Sequence, residues 1–134
     1  MNSPKVVLDS FAMIAYFEQE RGAPKVVHLL EKAQRREVHL LLNLINWGEV
    51  YYAISRSKGE ARAEDCLLLL EQLPVELVAI DRELVYQASR LKSQYAIAYG
   101  DCFAAALAKR EQCQVLTGDK EFRKVHSTIQ VIWL

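Results

Sequence analysis

The stretch Lys5-Val6-Val7-Leu8-Asp9-Ser10-Phe11-Ala12-Met13-Ile14-Ala15-Tyr16-Phe17-Glu18 decides the fold. Lys5–Leu8 is a short apolar run that reads as a buried strand, and it stops at Asp9. Helical spacing begins at once over Phe11–Glu18, with Ser10 or Asp9 available to cap it. A strand that passes directly into a helix is the opening of a βαβ unit.

The same alternation continues outward from that stretch. Gly22 and Pro24 punctuate the start of a second helix, whose apolar face is Val26, Val27, Leu29, Leu30 and Ala33, ending near Arg36. Val38–Leu42 is the next strand. A helix from about Leu44 to Ser57 ends at Gly59, and another from about Glu60 to Leu73 stops before Pro74. Val75–Ile80 reads as a strand, and Asp81 as the N-cap of a helix over Arg82–Gln94. Gly100-Asp101 opens a helix over Cys102–Gln112. Gln114–Leu116, Asp119–Val125 and Ile129–Trp133 complete the series as strand, short helix and strand. The order predicts an α/β protein with a parallel sheet and helices on both faces. Strands that are apolar throughout fit a sheet covered on both sides. In such sheets the site forms beyond the carboxyl ends of the strands, where strand order reverses.

The 134 residues suffice for one domain, 1–134, with no repeat, linker or low-complexity segment. Half of them are apolar (51%) and a quarter charged (25%), which excludes a disordered tail. Leu40–Leu42 and Cys66–Leu70 are too short to span a bilayer, so no membrane association is expected. Met1–Lys5 lacks the regions of a signal peptide, which points to the cytoplasm. A net charge of zero gives no global steering toward nucleic acid and leaves only local basic patches for that role. Cys66, Cys102 and Cys113 lack CxxC spacing and read as buried thiols.

Asp9 and Asp119 each follow a strand, at carboxyl-end positions. If those strands are neighbours, their loops share one crevice. Taken singly, Asp9, Asp119 and Asp101 are equally well explained as helix caps, and Asp81 better so. Glu49 is harder to explain as structural. Its helix carries Leu44, Ile45, Trp47, Val50, Tyr51, Tyr52, Ala53 and Ile54, an apolar surface nearly all round, and such a helix is expected to be buried. No basic residue lies at helical spacing from Glu49, and Arg56 is two turns away. A buried carboxylate of that kind needs a proton, a cation or a distant Arg.

Four segments together resemble PIN-domain ribonucleases, in particular the VapC-type toxins of toxin–antitoxin pairs. They are Val6-Val7-Leu8-Asp9-Ser10, Asn46-Trp47-Gly48-Glu49-Val50-Tyr51-Tyr52, Tyr99-Gly100-Asp101-Cys102-Phe103-Ala104-Ala105-Ala106 and Leu116-Thr117-Gly118-Asp119-Lys120-Glu121-Phe122. The resemblance implies a three-layer α/β/α PIN-like fold with a parallel sheet of about five strands. It also implies that Asp9, Glu49, Asp101 and Asp119 converge on Mg2+ or Mn2+, supported by the Thr117 hydroxyl and by Asn46 and Ser10. One departure stands out: many members carry a small hydroxyl residue two places after the first Asp, where this chain has Phe11.

The chemistry agrees with that quartet. Two carboxylates about 5 Å apart repel by roughly 3 kcal/mol at an effective dielectric near 20. A divalent cation relieves the repulsion, and oxygen ligands suit Mg2+ or Mn2+. His28, His39 and His126 have no ligand-like spacing, which disfavours zinc. The resulting hypothesis is phosphodiester hydrolysis of single-stranded RNA, with Asp9 and Asp101 on the main metal and Asp119 completing the cluster. Glu49 orients or deprotonates the water, with ligation as its alternative role. No GxSxG, P-loop or GxGxxG is present. Basic residues cluster at Arg35-Arg36, Arg56 to Arg62, Lys109-Arg110 and Arg123-Lys124, of which Arg56 and Lys58 are the candidates for RNA phosphates. Tyr51, Tyr52 and Tyr99 are candidate base-stacking rings, with core packing the better expectation. By the family resemblance the partners are an antitoxin, docked in a groove that Tyr16, Phe17 and Trp47 line, and a second copy in a homodimer. The alternatives are a non-catalytic binding module of the same fold and a housekeeping RNA-processing nuclease.

Overall fold

A computed structural model describes residues 3–134. Five strands form one parallel sheet: β1 (Lys5–Leu8), β2 (His39–Asn43), β3 (Val75–Val78), β4 (Gln114–Thr117) and β5 (Gln130–Trp133), in the spatial order β3-β2-β1-β4-β5. Six helices connect them: α1 (Ser10–Phe17), α2 (Ala23–Gln34), α3 (Leu44–Lys58), α4 (Glu60–Gln72), α5 (Arg82–Gln94) and α6 (Tyr99–Glu111). A 3-10 helix, Lys120–Val125, follows β4. The chain builds outward from β1 through β2 to β3, then returns to place β4 on the other side of β1. Strand order therefore reverses between β1 and β4, whose register pairs Leu8 with Leu116. The adjacency that the shared crevice requires is present.

Side-chain alternation along β1 sends Val6 and Leu8 to one face and Val7 to the other. On the first face they pack with Leu40, Leu42 and Leu116 against α1, α2, α3 and α4. On the second, Val7, Leu41 and Val115 pack against α5, α6 and Phe122 of the 3-10 helix. The result is the expected three-layer α/β/α arrangement.

Three strand-to-helix corners share one device. Asp9 caps α1 by accepting the Ala12 amide, Asn43 caps α3 by accepting that of Asn46, and Asp81 caps α5 by accepting that of Leu84. Asp81 is thus a structural cap, as its sequence position suggests. Asp101 is not a cap. Ala98 holds that position on α6, and Asp101 lies inside the first helical turn. Two further expectations change. The edge strands β3 and β5 are only partly covered, because each has a neighbour on one side alone. The α3 helix is not buried all round: Leu44, Ile45 and Tyr52 are exposed, and burial is confined to Asn46, Val50 and Ile54.

Leu8 is fully buried at the centre of the sheet. Leu8→Ala is expected to lower unfolding stability by about 2–5 kcal/mol, since it leaves a cavity between packed layers. Denaturant titration with an unchanged m value measures this. A loss below about 1 kcal/mol would contradict the packing described.

Candidate active site

The site lies where β1 and β4 separate at their carboxyl ends. Asp9 leaves β1 and is 1% exposed. Its Oδ1 accepts the Ala12 amide at 2.9 Å, and its Oδ2 accepts the hydroxyl of Thr117. Thr117 ends β4 and is itself buried. Its Oγ1 also accepts the Asp119 amide at 3.0 Å, so one hydroxyl ties both strand ends together. Asp119 in turn caps the 3-10 helix, with Oδ1 accepting the Glu121 amide at 2.9 Å.

The third contribution comes from one face of α3. Asn43, Asn46 and Glu49 stand at helical spacing. The Asn43 amide group donates to Asn46 Oδ1 at 2.8 Å, and Asn43 Oδ1 accepts the Asn46 backbone amide at 2.9 Å. Asn46 Nδ2 donates onward to Glu49 Oε1 at 2.7 Å and to the Gly100 carbonyl at 3.1 Å. Glu49 is therefore neither fully buried nor unpartnered, contrary to expectation: it is half-buried and has a neutral partner at i−3, and Asn46 also links α3 to α6. A Cβ on Gly100 would stand 2.0 Å from Glu49 Oε2, so the carboxylate occupies space that any other residue at position 100 would make it leave.

Asp101 completes the group from the first turn of α6. It is 8% exposed, and its Oδ2 is buried with no hydrogen-bond partner. Burial is the largest cause of its raised pKa, about 8, followed by the charges of Asp119, Asp9 and Glu49. Asp119 also favours the protonated form of Asp101. Burial likewise raises Asp9 to about 7, against the lowering effect of the Thr117 and Ala12 hydrogen bonds. The charges of Asp119 and Glu49 add to that rise. The four carboxylates thus belong to one electrostatic unit.

The donor set is hard oxygen throughout, and Asp101 Oδ2 is an orphaned buried acceptor aimed into an acidic crevice. Both features fit a hard divalent cation. The side chains do not already form a cage. Among the described residues, no three Asp, Glu, His or Cys side chains enclose an ion as they stand. The histidines are placed elsewhere: His39 pairs with Glu76 and His126 with the Arg123 carbonyl.

Other candidates separate from this centre. Among the described residues, Ser10 makes no side-chain hydrogen bond to the carboxylates. Arg56 lies over the Tyr52 ring at 5.2 Å. Lys58, roughly 13 Å along the helix from Glu49 by its rise of about 1.5 Å per residue, faces Glu18 at 3.8 Å. Tyr52 (48% exposed) and Tyr99 (44%) are not core residues, contrary to expectation. Tyr99 packs edge-on against Phe103 and shares a hydrogen bond with Ser89. Tyr16 and Phe17 do line a groove between α1, α2 and α4, whereas Trp47 is half-buried against the core instead. Asn43 was missed by sequence reasoning, although an Asn at a strand end three residues before Asn46 is a cap signal.

An α/β/α domain with a carboxylate cluster at the switch point of its parallel sheet is a recognisable class. The family model described as "PIN domain" matches residues 6–127, and the chain belongs to that family. No curated protein matches the sequence. Among solved structures the chain is similar to VapBC2 from Rickettsia felis bound to a promoter DNA fragment. The TM-score is 0.76 at 14% identity, covering 97% of this chain and 98% of that one. It is similar to DNA-bound VapBC from Salmonella typhimurium, with TM-score 0.75, 16% identity and coverage of 96% and 97%. It also resembles VapC20 of Mycobacterium tuberculosis, a toxin described as cleaving the sarcin-ricin loop. There the TM-score is 0.72 at 13% identity, with coverage of 90% and 94%.

Asp9 and Asp101 bind protons more tightly folded than unfolded. Their contribution to stability is fully present below about pH 4 and is lost as pH rises toward 7–8. In EDTA the melting temperature should therefore fall between pH 5 and pH 8, and Asp101→Asn should flatten that fall. Identical pH profiles for the two proteins in calorimetry would refute a strained Asp101.

Proposed function

We propose that this protein is a metal-dependent endoribonuclease of single-stranded RNA, the toxin of a toxin–antitoxin pair, and that it acts in the cytoplasm. The buried, unpartnered Asp101 Oδ2 facing Asp119, Asp9 and Glu49 carries the reading. Four acids in one crevice are costly unless a cation meets them. Family membership and the toxin–antitoxin character of similar structures support it.

Asp9 and Asp101 would hold Mg2+ or Mn2+, with Asp119 completing the set directly or through water. The bound ion would lower the pKa of a water and shield charge on the phosphate. Thr117 fixes the Asp9 rotamer, and so holds one ligand in place. Asn46 leaves Glu49 Oε2 free of hydrogen bonds among the described residues while it holds Oε1. Glu49 can then orient or accept a proton from the attacking water.

A non-catalytic binding module is the rival reading, and one observation favours it. Both oxygens of Asp9 already accept protein donors. A carboxylate oxygen accepts more than one partner, so this leaves room for ligation. The antitoxin we propose offers an apolar helix to the groove of Tyr16 and Phe17, and a homodimer accompanies it.

Incubation of single-stranded RNA with Mn2+ should yield cleavage that EDTA abolishes. Asp9→Asn and Asp101→Asn should each reduce the rate by at least 100-fold, as loss of a metal ligand or its support does. Cleavage surviving both EDTA and Asp9→Asn would remove this mechanism. No cleavage under any metal would leave the binding module. Millimolar Mg2+ should also raise the melting temperature, because the ion binds only the folded cluster, and Asp101→Asn should blunt the shift.

A further inference from the structure

Phe11 stands two places after Asp9, in the first turn of α1. The residue is 43% exposed although it lies close in sequence to the buried Asp9. The ring leans on Gly118, between Thr117 and Asp119. A Cβ on Gly118 would meet Phe11 Cε1 at 2.3 Å and Cδ1 at 2.9 Å, so glycine makes the seat for the ring. Beyond it opens a cavity of about 500 Å3, lined on its apolar side by Phe11, Ala15, Gly118 and Leu134. That volume lies within the range of about 300–1,000 Å3 that accommodates small ligands.

The polar rim of this cavity includes Glu20, Arg21 and Lys25. Lys25 donates to the Trp133 carbonyl. Arg21 is exposed and has no ion pair or side-chain hydrogen bond among the described residues. Glu20 contributes an opposing charge, so the rim is not a strong anion trap. Its net cationic character comes from the two basic residues together.

The other exposed rings near the site are already engaged. Tyr52 lies under the Arg56 guanidinium, and Tyr99 packs on Phe103. Among the described residues, no aromatic or cationic group covers Phe11. An exposed aromatic face one residue from Asp119, with a cation across a cavity, is the arrangement by which single-stranded nucleic acid is held. The base stacks, and the backbone follows the charge.

We propose that Phe11 is a stacking platform for one unpaired RNA base next to the scissile phosphate, with Arg21 contacting the adjoining phosphate. The inference rests on the ribonuclease reading above and names how that site grips its substrate. Stacking on Phe11 fixes the strand relative to Asp9 and Asp119, and a large purine face gains more from it than a pyrimidine.

The test uses short single-stranded RNAs carrying 2-aminopurine at successive positions. Binding is measured to Asp101→Asn protein in EDTA, where cleavage should be too slow to consume the RNA. Stacking should quench the fluorescence at one position, and adding Phe11→Ala should abolish the quench and weaken binding about tenfold. Phe11→Tyr should restore both. Gly118→Ala should give the same loss by displacing the ring, with Phe11 still present. In the otherwise unaltered enzyme, Phe11→Ala should raise KM more than it lowers kcat, and Arg21→Gln should weaken binding to every sequence alike. Unchanged quenching and affinity in Phe11→Ala, from a protein that cleaves RNA, overturn the platform and leave the ribonuclease standing. Failure of the unaltered protein to bind or cleave any RNA overturns both.

Discussion

The constraint on which the site depends is the confinement of like charges between two strand ends. Sheet topology alone would bring Asp9 and Asp119 into neighbouring loops without holding them at fixed positions. The Thr117 hydroxyl does that, since it donates to Asp9 and accepts the amide of Asp119. It converts a crevice between β1 and β4 into a fixed arrangement of carboxylates. Asp101 and Glu49 then enter on α6 and α3, two helices that Asn46 links by bonding both Glu49 and the Gly100 carbonyl.

This arrangement shows how the fold separates stability from chemistry. The apolar faces of β1, β2 and β4 bury completely, and caps at Asp9, Asn43 and Asp81 satisfy the backbone of the helices they precede. The carboxyl ends of the central strands are left to carry acids that destabilise the crevice. Asp9 serves both purposes, with one oxygen on the α1 backbone and the other on Thr117. That double service explains why its position alone reads as a cap.

Much of the architecture was legible because the determinants are local. The Lys5–Leu8 run, the Asp81 cap and the Gly59 stop each act within a few residues. Strand adjacency was not legible, because residues 8 and 116 meet only through tertiary packing. The exposure of Tyr52 and Tyr99 is hidden from the sequence for a related reason. A helix that looks apolar on every side is buried only where another element covers it, and nothing in the sequence says that α3 leaves Leu44, Ile45 and Tyr52 uncovered. Glu49 looks anomalous in the sequence only because an ionic partner is sought for it, whereas the structure gives it a neutral one, Asn46, and leaves it half-buried. The Asn43–Asn46–Glu49 spacing, three residues at each step, holds the signal that was available.

Gly100 shows how narrow the tolerance of such a centre is. Helix interiors disfavour glycine by up to about 1 kcal/mol relative to alanine, yet α6 keeps one in its first turn, where the Glu49 carboxylate fills the space a β-carbon would take. A single methyl group there would strengthen the helix and oblige the Glu49 carboxylate to shift. Helix strength and the seating of one acid thus pull in opposite directions at this single position, and the glycine settles the contest for the acid.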